Sequence, residues 1–474
     1  MAGLLQTVAL AMTTVLLATS CSMSDDNGSG GGSIEGSNTC YISNVKFNTM
    51  RRQVTVKASD GVTDSTYYST FTSSQWIFSI DHRNLSVENR DSLPYNTDLS
   101  KCVMQLSYTG AMAYYRASDA WDDDPWSNYN GTDSIDLRKP LHIRVLATDN
   151  TERLYTLKVN VHTMHGDSLR WTTVESEPVL DGTYPMKAMG WDNKMAVMAN
   201  NGNAVLWLTH AKSNMGAWTC QVTDLPLNTD VTSLACNSGE GRLYANTMDG
   251  ALYASADGVA WNLLCRREGL RLAGVSETRI YAMAEGALYS ASYEDMEWKK
   301  ESMDEDGALL PDGDVSFLTY LDKYDVTRML VAGNRLATED TTAVVWGKAW
   351  RGFEDENAET WMHYNRTWDN THQMPMLEHL NVVYYDDKLM AIGGQDRNTM
   401  RNGKVKALEH FLVSEDNGLT WWKLQDVLPP SDLLGVDGYI ASGVDSSKFL
   451  WLVAGGKVYR GRINRLGFAR PDIE

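Results

Sequence analysis

Residues 242–255 read RLYANTMDGALYAS, and residues 279–292 read RIYAMAEGALYSAS. The two stretches are one unit written twice: an apolar strand, a turn at Asp249-Gly250 or Glu285-Gly286, and a second apolar strand. Looser copies occupy 194–209 (KMAVMANNGNAVLWLT), 388–396 (KLMAIGGQD) and 449–461 (FLWLVAGGKVYRG). A tryptophan closes most copies, at Trp218, Trp261, Trp298, Trp361 and Trp421, spaced 37 to 63 residues apart. Trp171 stands ahead of the first copy. A unit of paired short strands cannot bury its own faces, so copies recurring at this period stack around a ring as a β-propeller. Six blades are expected, beginning near Tyr184, Val231, Leu272, Val315, Leu380 and Tyr439; a degenerate unit within 334–375 would make seven. No tryptophan strand follows the last copy. The strand around Trp171 is therefore expected to pair with the Phe449–Arg460 hairpin and close the ring, leaving no sheet edge exposed.

Upstream, from Thr39 to about Val161, the pattern changes to short alternating strands. The clearest is LHIRVLATDNTERLYTLKVNVH, Leu141 to His162. Ile143, Val145 and Ala147 alternate with polar residues, and Leu154, Tyr155 and Leu157, then Val159 and Val161, follow a turn at Asp149-Asn150. Such a hairpin needs further strands to be stable, so a sandwich of two sheets is expected. It resembles the closing strands of cadherin-like or immunoglobulin-like sandwiches. The fold class is all-β, with a sandwich over 39–163 and a propeller over 168–474.

Asp and Glu number 61 against 42 Lys and Arg, a formal net charge of −19. A nucleic-acid partner is not expected, because phosphate contacts need a basic surplus. The chain holds 22 Tyr and 16 Trp but 8 Phe, a bias suited to strands and half-exposed surfaces. The apolar run Gly3–Ala18 is shorter than the roughly 20 residues a spanning helix needs, and reads as the core of a signal peptide over residues 1–20. Leu16-Leu17-Ala18-Thr19-Ser20-Cys21 resembles the lipobox of bacterial lipoproteins, with Ala18 where the pattern prefers Leu and no Lys or Arg before the apolar core. The resemblance implies lipidation at Cys21 and anchoring by acyl chains. A Gly/Ser-rich tether covers 21–38, and its Asp25-Asp26 pair resembles the export tag of Bacteroidetes surface lipoproteins. An outer-membrane address facing outward is expected. Five further cysteines, Cys40, Cys102, Cys220, Cys236 and Cys265, form no metal-binding spacing. Cys40 and Cys102 bridge in an oxidising compartment, or all five stay as buried thiols.

Residues 414–421, SEDNGLTW, match the Asp-box S-x-D-x-G-x-T-W at every fixed position. SADGVAW at 255–261 is a form one residue shorter, and SYEDMEW at 292–298 is a decayed copy. Ser and Asp side chains bond the turn backbone and Gly supplies positive φ. Ser255, Asp257, Gly258, Trp261, Ser414, Asp416, Gly418, Thr420 and Trp421 are thus expected to be structural. In sialidases and their relatives such boxes lie away from the active site. With the lipobox, the two-part layout and the phrase FSIDHRNLSVENRDSLPYNTDLSKCVMQLSY (78–108), the chain resembles an uncharacterised family of Bacteroidetes surface lipoproteins. That family joins an N-terminal sandwich to a sialidase-like or kelch-like propeller and implies no activity.

A sialidase carries an F-R-I-P-like start to its first blade; the nearest approach here, Leu137-Arg138-Lys139-Pro140, lies in the sandwich. HExxH, GxSxG and P-loop motifs do not occur. His162 and His165 are a close pair in the linker, read as surface histidines or weak metal ligands. Ligands of propellers usually sit on the face formed by second-to-third-strand loops and blade crossings, opposite the Asp-boxes. On that face the sequence offers Arg335, Tyr364, Arg366, Trp368, His372, Gln395, Asp396, Arg397, Arg401 and Asn402, a mix of aromatic faces and Arg forks suited to an anionic sugar. The loop YYRASDAWDDDPWSNYNGTD (114–133) offers Asp122, Asp123 and Asp124 for calcium, with Tyr114, Tyr115, Trp121 and Trp126 for stacking; no cofactor is otherwise expected. The leading expectation is a non-catalytic surface lipoprotein binding a glycan or a protein. Its alternatives are a sialidase-like hydrolase or lyase and a structural partner in a surface complex.

Overall fold

The computed structural model describes residues 36–57, 64–211, 217–237, 239–305, 307–336, 340–351, 359–364, 371–397 and 406–468. The described chain is all-β apart from four single turns of 3₁₀ helix. Residues 1–35, with Cys21 and the apolar run, lie outside this set. Among the described residues no helix is long and apolar enough to cross a membrane.

In the N-terminal unit a three-stranded sheet and a six-stranded sheet share one core. Alternation decides which side chains enter it. Leu141–Leu146 pairs with Glu152–Lys158, with Ile143 opposite Tyr155. Ile143, Val145, Tyr155 and Leu157 are all at most 1% exposed. Leu154, one step out of phase with Tyr155, faces outward. Asn150 takes φ +70° at the intervening turn. Cys40 and Cys102 are buried in this core but unbridged. Each sulfur faces a backbone carbonyl instead, Thr151 O and Asp98 O, both at 3.6 Å. Cys220 is exposed and Cys236 and Cys265 are half-buried, so the thiols are not uniformly buried as the alternative expectation had it.

From Leu169 to Ile463 the described residues form six four-stranded sheets. The blades are labelled I to VI, with strands A to D from the centre outward. The A strands are Met186–Trp191, Thr229–Asn237, Arg271–Val275, Gly313–Leu321, Asn381–Tyr385 and Ile440–Val444. Each touches the next, and the sixth touches the first, so they form a closed circle. Blade VI takes strands A to C from the C-terminal end of the chain and strand D, Leu169–Val174, from before blade I. Trp171 lies opposite Gly461 in that antiparallel pair. A side chain at Gly461 would sit 2.7 Å from the Trp171 ring, so the glycine makes room for the indole at the seam. Trp218, Trp261, Trp361 and Trp421 are buried between blades, where their large apolar faces fill the gap between splayed sheets.

Residues 162–167 and 464–468 meet beside this seam. The His162 ring stacks on Phe468 at 3.6 Å between centroids. Arg465 pairs with Asp167 at 2.7 Å and with Asp386 at 2.6 Å, and Asn464 donates to the His165 carbonyl at 3.0 Å. The close histidine pair thus serves packing at the junction between the two units.

Candidate functional site

Small residues crowd the circle of A strands. A Cβ on Gly190 would lie 2.4 Å from Val444 O, and one on Gly274 would lie 2.3 Å from Phe317 Cβ. Neighbouring inner strands therefore approach more closely than any side chain allows. The space they enclose is a cavity of about 530 Å³, with walls from all six blades. Trp191, Phe317 and Tyr384 give it aromatic surface, and Asn193 and Ser446 stand at its rim. Asn193 and Ser446 belong to the A-to-B turns of blades I and VI and bond each other at 3.0 Å. The cavity thus opens on the face of the A-to-B turns. Strands alternate in direction, so the C-to-D turns lie on that same face.

Four residues, Lys187, Ala188, Asn381 and Ser442, line both this cavity and a smaller one of about 40 Å³ at the opposite mouth. They form a partition. Lys187 Nζ donates to Thr232 O at 3.0 Å and to Val315 O at 3.2 Å, spanning from blade I to blades II and IV. Asn381 Nδ2 donates to Ser442 O at 2.6 Å and to Ser442 Oγ at 2.7 Å, tying blade V to blade VI. Burial pushes the Lys187 ammonium down to about 8, against the opposing pull of Asp230 and Asp314. Beyond the partition, burial raises the carboxyl of Asp314, although Asn334 Nδ2 donates to it at 2.8 Å. Burial lowers His379, whose ring packs on Tyr439 at 4.4 Å. Asp314 and His379 both hold left-handed backbone, at φ +49° and +52°, a conformation that costs energy in non-glycine residues.

Two acidic residues line the large cavity, Asp192 and Asp445. Asp445 is committed to the fold. Its Oδ1 accepts from the backbone of Ser447 and Phe449, and its Oδ2 accepts from Trp451 Nε1 at 3.0 Å. Asp192 is exposed, 3.7 Å from Lys194. Among the described residues the cavity therefore holds no couple of uncommitted carboxylates.

The residues nominated from sequence are dispersed. Arg366, Trp368, Arg401 and Asn402 lie outside the described residues. Arg335 pairs with Asp340 at 2.9 Å. Tyr364 is packed inward against Gly347 and the Gly418 turn, and burial raises its hydroxyl. His372 stacks on Trp422 at 3.5 Å. Gln395, Asp396 and Arg397 run beside the blade crossing, where Glu378 N donates to Gln395 O and Arg397 N to Met376 O. The Arg397 guanidinium is near enough to Asp314 and His379 to favour the charged carboxylate and oppose the charged imidazole. Packing thus uses Tyr364 and His372, and only Arg397 of the described set faces the smaller cavity's charges. The large cavity lies on the other face, and the sequence reading missed it.

The two hairpins 255–261 and 414–421 are held by their own side chains. Ser414 Oγ donates to Asp416 Oδ1 at 2.7 Å and accepts from Gly418 N at 2.8 Å. Thr420 donates to Asp416 through both N, at 2.9 Å, and Oγ1, at 2.6 Å. In the shorter hairpin Asp257 Oδ1 accepts from Val259 N and Ala260 N, each at 2.9 Å. Trp261 Nε1 and Trp421 Nε1 each donate to the carbonyl of the hairpin glycine.

No group of three or more His, Cys, Asp or Glu among the described residues could hold a metal. At Asp122–Asp124 the reason is visible. The Arg116 guanidinium fills the centre of this loop, donating to the backbone carbonyls of Trp121, Asp122 and Asp124 and stacking on Trp126 at 4.6 Å. The calcium expectation there is corrected. Arg144 covers Trp126 at 4.5 Å and Tyr114 at 5.3 Å, so these aromatics are occupied by arginines.

A closed circle of radial sheets around a polar-floored channel defines a β-propeller protein. The chain belongs to the DUF6242 family: the DUF6242 beta propeller domain matches residues 165–471, and the family's N-terminal domain, of unknown function, matches 45–159. No curated protein matches the chain by sequence. Among solved structures it is similar to the Trypanosoma rangeli sialidase in complex with 2,3-difluorosialic acid, at 9% identity and a TM-score of 0.38, covering 62% of this chain and 59% of that one. It is also similar to AofleA from Arthrobotrys oligospora, at 11% identity and 0.35, covering 62% and 90%. The endo-arabinase from Bacteroides thetaiotaomicron is similar at 10% identity and 0.34, covering 61% and 96%. These low values bear on neither activity nor ligand.

Proposed function

We propose that the chain is a non-catalytic binding protein whose ligand, a glycan, enters the central channel from the face of the A-to-B turns. The cavity of about 530 Å³ carries this reading. Its size falls within the range of small-molecule sites, roughly 300–1,000 Å³. Trp191, Phe317 and Tyr384 supply faces for a sugar ring, and Asn193 and Ser446 supply polar contacts at the rim. Glycoside hydrolysis uses two carboxyl groups flanking the bond, whereas Asp445 here is committed to the turn and to Trp451. The hairpins 255–261 and 414–421 are read as Asp-boxes that brace the same face. Residues 1–38 are read as signal peptide and tether, with lipidated Cys21 holding the protein at the outer membrane, facing outward. In this reading the sandwich is the spacer between lipid and propeller.

The test is a glycan array on the wild-type chain and on Ser446→Trp, with reducing-sugar release measured in parallel. The bulky indole at the rim should reduce binding at least tenfold while leaving the fold intact, and no sugar should be released. Sugar release would favour the hydrolase or lyase alternative. Binding that survives Ser446→Trp would move the ligand elsewhere. The opposite mouth is then the second reading, because Arg397 acts on Asp314 and His379 there; Arg397→Ala would be the variant that loses binding. Absence of any glycan binding would favour a structural partner in a surface complex.

A further inference from the structure

The floor of the channel is cationic, and its charge is not matched by any neighbour in contact. Lys187 lies on the innermost strand of the first blade, below the aromatic walls. An ammonium has three N–H donors. Two of them go to backbone carbonyls, Thr232 O and Val315 O. Among the described residues no carboxylate approaches Lys187 within ion-pair distance; Asp230 and Asp314 act on it only from farther away. Ser442, which shares the floor, accepts from Asn381 through its Oγ and keeps its own proton to donate. The floor thus offers two further donors, one of them charged, while Asn381 Oδ1 takes the Ser316 hydroxyl at 3.4 Å.

A half-buried, desolvated ammonium without a contacting carboxylate is costly, and an anion delivered by a ligand would offset that cost. From Lys187 and Ser442 at the base of the channel, we infer that the bound glycan carries a carboxylate, and that this group docks on the channel floor while the ring stacks on the walls above. The inference rests on the channel being the binding site. Acidic sugars, uronic acids among them, are the ligand class it selects over their neutral counterparts. The −19 net charge of the chain makes the selection local: long-range attraction would not draw an acid to this protein, so the preference must come from contacts inside the channel.

Protonation of Lys187 supplies a readout that needs no mutation. The ammonium is charged below about 8 and neutral above it. Asp230 on blade II and Asp314 on blade IV are the charged groups facing it, with His379 and Arg397 behind Asp314. Lys187 is the cation on the channel floor that loses its charge as the pH rises through about 8, so the pH dependence is assigned to it. Affinity for the acid should fall about thirtyfold between about pH 7 and about pH 9.5, as the protonated fraction falls. Affinity for the neutral sugar should not change.

The experiment is calorimetric titration of the full chain with D-glucuronate and with D-glucose, on wild type, Lys187→Met and Ser446→Trp. The expected result is at least tenfold tighter binding of glucuronate by wild type, erased by Lys187→Met and by the rise in pH. Equal binding of both sugars, lost in Ser446→Trp, would overturn the acidic preference and leave the channel as the site. Glucuronate binding with no dependence on pH or on Lys187 would also overturn it. Binding of neither sugar, or binding that persists in Ser446→Trp, would overturn both the preference and the channel reading. If Lys187→Met does not fold, the pH series on wild type decides alone.

Discussion

Lys348 and Glu301 form a buried ion pair that shows how this propeller treats charge when no ligand is involved. Nζ and Oε2 are 2.9 Å apart, Lys348 has no exposed side-chain surface, and Glu301 also accepts from Trp361 Nε1 at 2.9 Å and Ser290 Oγ at 2.5 Å. The pair ties blade III to blade IV. Lys348→Met should destabilise the chain by about 3–5 kcal/mol, because the carboxylate stays buried without its cation. Chemical denaturation would measure it, and the double variant with Glu301→Gln should recover part of the loss. Lys187, by contrast, meets carbonyls and no contacting carboxylate. Neither lysine stood out in the sequence, since a single Lys in MKAMGW or VVWGKAW looks like an outward-facing strand residue. What separates them from surface lysines is the three-dimensional neighbour, which no local pattern records. The aromatic-and-arginine loop at 362–375 drew attention by composition; of its described residues, Tyr364 packs on Gly347 and His372 stacks on Trp422.

Elements were far more legible than residues. The repeats at 242–255 and 279–292 correspond to strands B and C of blades II and III, and the six A strands begin within two residues of the positions read from the repeats. Periodicity works here because the B and C strands of blades II and III are buried on both faces, which forces a dense apolar code. Strand A was harder to interpret because small residues dominate it: Gly190, Gly274 and Gly443 serve close approach between strands, a requirement that comes from the neighbouring blade. The hairpin at 414–421 was the opposite case, since its bonds join residues two to four apart. Asp416→Ala removes the acceptor for three of them and should cost about 1–3 kcal/mol. Thermal unfolding would read the loss, and the glycan binding proposed for the channel should persist.

At the scale of the whole molecule, closure of the ring is the feature on which the channel depends. The seam between Leu169–Val174 and Lys457–Ile463 is a single antiparallel pair, placed at the rim of blade VI. Gly461→Val puts a side chain into the space of Trp171 and Leu169. Overpacking of this kind should cost about 1–3 kcal/mol, with protease cleavage appearing first around 169–174. Wild-type resistance in the variant would mean that the seam contributes little. This closure was foreseeable because the last repeat lacked its tryptophan strand and Trp171 lacked a repeat. The junction beside it was not: His162 on Phe468 and Arg465 on Asp167 join residues about 300 positions apart, and Arg465 on Asp386 joins residues 79 apart, without a shared motif.

The seam also imposes an order on biosynthesis. A chain emerging from its N-terminus presents strand 169–174 long before strand 457–463 exists, a wait of roughly 280 residues. During synthesis the first piece of blade VI must stay unpaired while blades I to V assemble beside it. A product released early would carry an open sheet edge at both ends, a target for quality-control proteases and a template for aggregation. Full-length delivery is therefore checked by the architecture itself: the channel takes its final shape when the last strand arrives.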